Sequence, residues 1–136
     1  ELAGDASSGS CAASAVVDDG ADVLAALRDY RDTVMAVTPA GRNLIAQYYR
    51  HSPGLIALCA EDRDLCLDVS SFVQRLMPAV KRASISDMAA FPEHLQDEAI
   101  ELIDTAYDQS DDGLRRFLHT LKAEIASGRL PGAGRD

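Results

Sequence analysis

Residues 27–53, LRDYRDTVMAVTPAGRNLIAQYYRHSP, decide the fold. Thr38 followed by Pro39 is a helix start: the hydroxyl caps orphan N–H groups, and a proline at the first helical position has no N–H to lose. Ahead of it, Val23, Leu24, Leu27, Tyr30 or Arg31, Val34 and Val37 recur at intervals of three and four, the spacing of one helix face. Behind it, Leu44, Ile45, Tyr48 and Tyr49 form a second apolar stripe. Ser52-Pro53 repeats the Thr-Pro grammar and predicts a separate short helix through Leu55, Ile56 and Cys59.

The same reading extends toward the C-terminus. Asp62 is placed to cap a helix that turns Leu65, Cys66, Val69, Phe72, Val73, Leu76, Met77 and Val80 inward, and Pro78 is expected to kink or end it near its last turn. A Ser/Ala-rich connector, Ala83–Ala90, leads to Pro92 and the cleanest helix of the chain. There Leu95, Ala99, Leu102, Ile103 and Ala106 fall within roughly a third of the helical circumference. Asp97, Glu101, Asp104 and Asp108 occupy the opposite side, the pattern of a solvated ridge. After a Ser-Asp-Asp-Gly turn, Leu114, Phe117, Leu118, Leu121 and Ile125 mark a final helix, which Gly128 and Pro131 stop. The expectation is an all-α fold, an irregular bundle of five or six short helices without a β-sheet. Residues 1–20 read as a flexible N-terminal segment, 21–128 as a single helical domain and 129–136 as a flexible tail.

Composition narrows the function classes. A chain of 136 residues with 47% hydrophobic residues can bury one core, and with 5% aromatics and no Trp that core is mainly aliphatic. The formal net charge is -9, concentrated at the N-terminus and in residues 83–127. No basic stripe exists for a phosphate backbone, which argues against nucleic-acid binding, and the acidic half would be repelled by an anionic membrane surface. Apolar stretches such as Gly54–Ala60 are far too short for a membrane-spanning segment. The opening residues ELAGDASSGS have neither a basic region nor an apolar one, so they are not a signal peptide; the expectation is a piece excised from a longer chain.

Cys11, Cys59 and Cys66 fit no zinc spacing, and their odd number leaves at least one unpaired in a monomer. Cys59 and Cys66 can bridge only if the chain turns between them, which AEDRDL allows; buried free thiols are the alternative. An oxidising compartment would favour the bridge and leave Cys11 free or paired between molecules.

Other chemistry finds little support. Asp108–Gly113, DQSDDG, imitates the front half of a calcium loop, but its twelfth position is His119 and Arg115-Arg116 intrude, so an interhelical turn with capping aspartates is the better reading. His51, His94 and His119 show no metal-type pairing, and no Ser or Cys has a recognisable nucleophile motif. No catalytic, cofactor-binding or metal residue is assigned, and an enzyme is not expected. Arg28 is placed to pair with Asp32 along the first helix, and Arg28, Asp29, Arg31, Asp32, Arg42 and Arg50 are expected to form a network tying the first two helices together. Tyr48 and Tyr49 read as core-edge aromatics whose hydroxyls need partners.

Cys11 with the small residues Ala12–Ala15, Leu27-Arg28-x-Tyr30-Arg31-Asp32, Gly41-Arg42, Tyr48-Tyr49 and Ser52-Pro53 together resemble the bacterial CFI-box C-terminal domain. The match covers roughly residues 11–60, and the box itself reads CAASAVVDDG, without the family's Phe-Ile and Tyr-Gly-Ser. The resemblance implies an accessory domain outside the cytoplasm, in the periplasm or cell envelope, and no activity. The expected function is a non-catalytic helical interaction or assembly domain of a bacterial exported protein, its partner another protein or the rest of its parent chain. The alternative is a small-ligand or metal-binding helical module using the Arg/Asp/Tyr cluster or the Asp108–Asp112 turn.

Overall fold

The computed structural model describes residues 21–86 and 89–133. The path begins with α1, Ala21–Tyr30, which runs straight into a π-helical turn over Arg31–Met35. Then come α2 (Pro39–Glu61), α3 (Arg63–Ile85), α4 (Glu93–Asp108) and α5 (Asp112–Ala126). Five α-helices and no strand or sheet are present among the described residues, so the fold is an all-α bundle. The largest helix–helix contact is α4 with α5, followed by α1 with α3.

Three caps set the helix boundaries. The Thr38 hydroxyl accepts from the Gly41 N–H at 3.0 Å, Asp62 Oδ1 from the Leu65 N–H at 3.0 Å, and Asp111 Oδ1 from the Leu114 N–H at 2.9 Å. Each satisfies one donor that the first turn of a helix leaves without an internal partner. Gly128, at φ +88°, closes α5 in the left-handed conformation that a residue without Cβ adopts at little cost.

Neither interior proline bounds a helix. α2 continues through Pro53 and ends only at Glu61, so no separate helix begins at Ser52. α3 continues through Pro78 for seven further residues, to Ile85. A proline removes one helical hydrogen bond and crowds the preceding turn, an effect of about 3 kcal/mol. Burial on both sides outweighs it: Leu44 and Leu58 flank Pro53 in the core, and Met77, Ala79, Val80 and Ala83 surround Pro78. Both prolines are themselves exposed. Ser52 is fully buried, and its hydroxyl donates to the Tyr48 carbonyl at 2.9 Å in the turn just before Pro53.

Residues 129–133, expected within a flexible tail, are packed. Leu130 is 1% exposed, the most buried apolar side chain described. Its N–H donates to the Ala89 carbonyl at 2.9 Å, and the Phe91 N–H donates to the Gly128 carbonyl at 2.8 Å, around an isolated antiparallel bridge between Ala90 and Arg129. The Tyr30 hydroxyl donates to the Pro131 carbonyl, and Glu124 Oε1 accepts from the Gly132 N–H at 2.8 Å. Gly41 lies in the same region: a Cβ there would collide with the Met35 and Gly132 carbonyl oxygens. The Gly-Arg pair is thus a place where three backbone segments meet.

Candidate ligand-binding cavity

Apolar stripes from all five helices converge on one cavity of about 440 Å³. Its α2 lining runs from Leu44 to Cys59 and its α3 lining from Leu65 to Val80, sixteen positions each, or about 22 Å at the helical rise. Leu102 and Ile103 of α4, Leu118 and Leu121 of α5, and Leu130 of the C-terminal segment complete the walls. The cavity is therefore long and apolar, with six aromatic rings among its aliphatic walls, and most of its lining lies on helices. Volumes of a few hundred Å³ with mostly apolar walls are those of small-molecule sites.

Only two charged side chains line it, Arg28 and Arg31, and no carboxylate does among the described residues. Arg28 is exposed and stands one helical turn before Arg31, so the cavity meets solvent at this edge. Arg31 Nε lies 2.8 Å from Asp32 Oδ1, and its second guanidinium nitrogen donates to the Tyr49 hydroxyl at 2.7 Å. The Asp32 carboxylate, with the Tyr49 hydroxyl, holds the Arg31 guanidinium above its already high ordinary value, so it stays cationic at any accessible pH. The rings of Tyr48 and Tyr49 meet edge to face with centres 5.2 Å apart. Burial, reinforced by the Glu124 charge, pushes the Tyr30 hydroxyl above the usual phenol range, which keeps it a neutral donor to Pro131.

The expected Arg/Asp network takes a narrower form. Asp32 pairs with its neighbour Arg31 and not with Arg28, because the π turn over Arg31–Met35 interrupts α-helical geometry after Tyr30. The link between the first helical segment and α2 is Arg31 to Tyr49, helped by Arg42, which donates to the Ala36 carbonyl at 3.0 Å. Of the signature residues, Arg28, Tyr30, Arg31, Tyr48 and Tyr49 border the cavity; Asp32, Gly41, Arg42, Ser52 and Pro53 serve the backbone and salt bridge beside it. Cys11 lies outside the described residues.

Cys59 and Cys66 form a disulfide with Cα atoms 4.9 Å apart, across the break capped by Asp62, and both border the cavity. The Asp108–Asp112 turn joins α4 to α5. Asp111 caps α5, and no group of three or more His, Cys, Asp or Glu able to hold a metal converges among the described residues. His51 stacks on Phe117 at 5.9 Å, while His94 and His119 are exposed. The α4 ridge is exposed throughout, with Asp104 paired to Lys122 at 2.8 Å. No described helix is long and apolar enough to cross a membrane.

Sequence reasoning marked the cavity's walls but missed the cavity. Periodicity shows which face of a helix points inward, and not whether the inward faces meet.

A scan against protein-family models, a search of curated proteins and a search of solved structures each return no match.

Proposed function

We propose that this protein is a small-ligand-binding helical module that houses one elongated apolar molecule among α2, α3, α4 and α5. The observation that carries this reading is the apolar cavity of about 440 Å³. Because the cavity opens to solvent, its apolar walls stand partly against water, and an apolar guest would remove that surface from water at about 25 cal/mol per Å². Engineered apolar cavities a third as large accept benzene. We read the module as a binder: among the described residues its rim carries arginine and tyrosine.

The interaction-domain expectation is the second reading, supported by exposed Val37, Leu67 and Ile85. It ranks lower because these three stand in different parts of the chain, and isolated exposed apolar residues are ordinary. An extracytoplasmic setting, as the CFI-box resemblance implies, agrees with the Cys59–Cys66 bridge, since such bonds persist where thiols are oxidised.

The test is titration of the chain with a neutral fluorescent apolar probe such as N-phenyl-1-naphthylamine. Saturable one-to-one binding, weakened by the cavity-filling substitution Val73→Phe, is expected. Absence of saturable binding would refute the reading.

A further inference from the structure

We propose that the guest is a single-chain amphiphile with an anionic head, a long-chain fatty carboxylate, held tail inward with its carboxylate at Arg28. This rests on the ligand-binding reading above and adds the chemistry of the head and the direction of entry.

Three observations carry it. First, the chain has a net charge of -9, yet among the described residues the only charged side chains on the cavity wall are two arginines, three positions apart. A cation-headed guest would meet those guanidiniums without a lining carboxylate to receive it, and an anion-headed guest is matched. Second, the two arginines differ in what they already hold. Arg31 is engaged with Asp32 and Tyr49, which fixes it as part of the wall. Arg28 is the exposed member and borders both solvent and cavity, the position of a group that meets a head while the tail is buried. A guanidinium fork also matches the two oxygens of a carboxylate. Third, the lining extends about 22 Å along α2 and α3, the shape of an extended chain.

The experiment displaces the neutral probe from the full chain with palmitate, hexadecanol and hexadecylamine, each kept below its aggregation threshold. Palmitate is expected to bind best and the amine worst. The acid should exceed the alcohol by roughly two- to fivefold, the upper part of the range for an exposed ion pair. Arg28→Gln should bring palmitate down to the alcohol's affinity, and raised salt should do the same in part. Equal binding of acid and alcohol, or an acid preference that survives Arg28→Gln, would overturn the head assignment while the cavity reading stands. Failure of all three ligands and of the probe would overturn the cavity reading itself.

Discussion

The two helical hairpins of this bundle are held together by different means. α4 and α5 are short, and they make the most extensive contact of any helix pair. Lys122 reaches Asp104, and the Gln96 side-chain amide donates to the Ile125 carbonyl at 2.8 Å. α2 and α3 are each 23 residues long, yet they touch one another far less. What joins them is local and covalent: the single residue Asp62 and the Cys59–Cys66 bridge. One hairpin closes by packing; the other is stapled at its tip, and its apolar faces look into a common space. A helix pair that is pinned and underpacked is the natural wall of a binding cavity.

That difference can be broken at several points. The largest expected effect is in the packed hairpin. Leu114 is buried away from the cavity, and Leu114→Ala should cost about 3–5 kcal/mol in urea unfolding. Leu58 is as buried but borders the cavity, so Leu58→Ala should lie near the low end of the usual range, about 2 kcal/mol. Equal losses at the two positions would erase the distinction between the hairpins.

Next comes the staple. Reduction, or Cys59→Ser with Cys66→Ser, frees a short loop and should lower stability by about 2–3 kcal/mol. Alkylation of fresh protein without reduction, followed by mass spectrometry, checks the bond directly: Cys59 and Cys66 should remain unlabelled.

Smaller still is the helix cap at Asp111, where Asp111→Ala should cost about 1 kcal/mol in the same unfolding assay.

The smallest effect is electrostatic. Hydrogen bonds from the Leu65 N–H and then from Gln109 hold the Asp62 carboxyl below the usual carboxylate range, and the Arg75 guanidinium does the same for Glu98. A depressed folded value means the stabilisation is fully present above about pH 4 and is lost as pH falls through the folded values. Thermal melts should therefore drop below pH 4, and Asp62→Asn with Glu98→Gln should flatten that drop. An unchanged acid limb in the double variant would remove these two carboxylates from the account.

Much of the fold was legible from local signals, because Thr38, Asp62 and Asp111 sit where helices need acceptors and because α4 alternates its faces cleanly. What misled was also local. Ser52-Pro53 reads as a new helix start and Pro78 as a kink or end, but burial of Leu58, Ala79, Val80 and Ala83 lies in tertiary packing that no short window contains. Leu130 is a lone apolar residue among Gly, Arg and Pro, and its place in the core depends on Tyr30, Ala89 and Glu124, each distant in sequence or reached through backbone atoms. The rim was half visible: Arg31, Asp32 and Tyr49 stood out as a cluster, while the π turn that re-pairs Asp32 has no sequence mark.

The central claim is that the interior, and not the surface, is where this protein binds. Methyl NMR of the labelled full chain, titrated with hexadecanol, tests it independently of the head group. The expected shifts fall on Leu58, Val69, Leu102 and Leu121 along the cavity wall, with Val37, Leu67 and Ile85 unmoved. Shifts confined to Val37, Leu67 and Ile85, or no shifts at all, would contradict it.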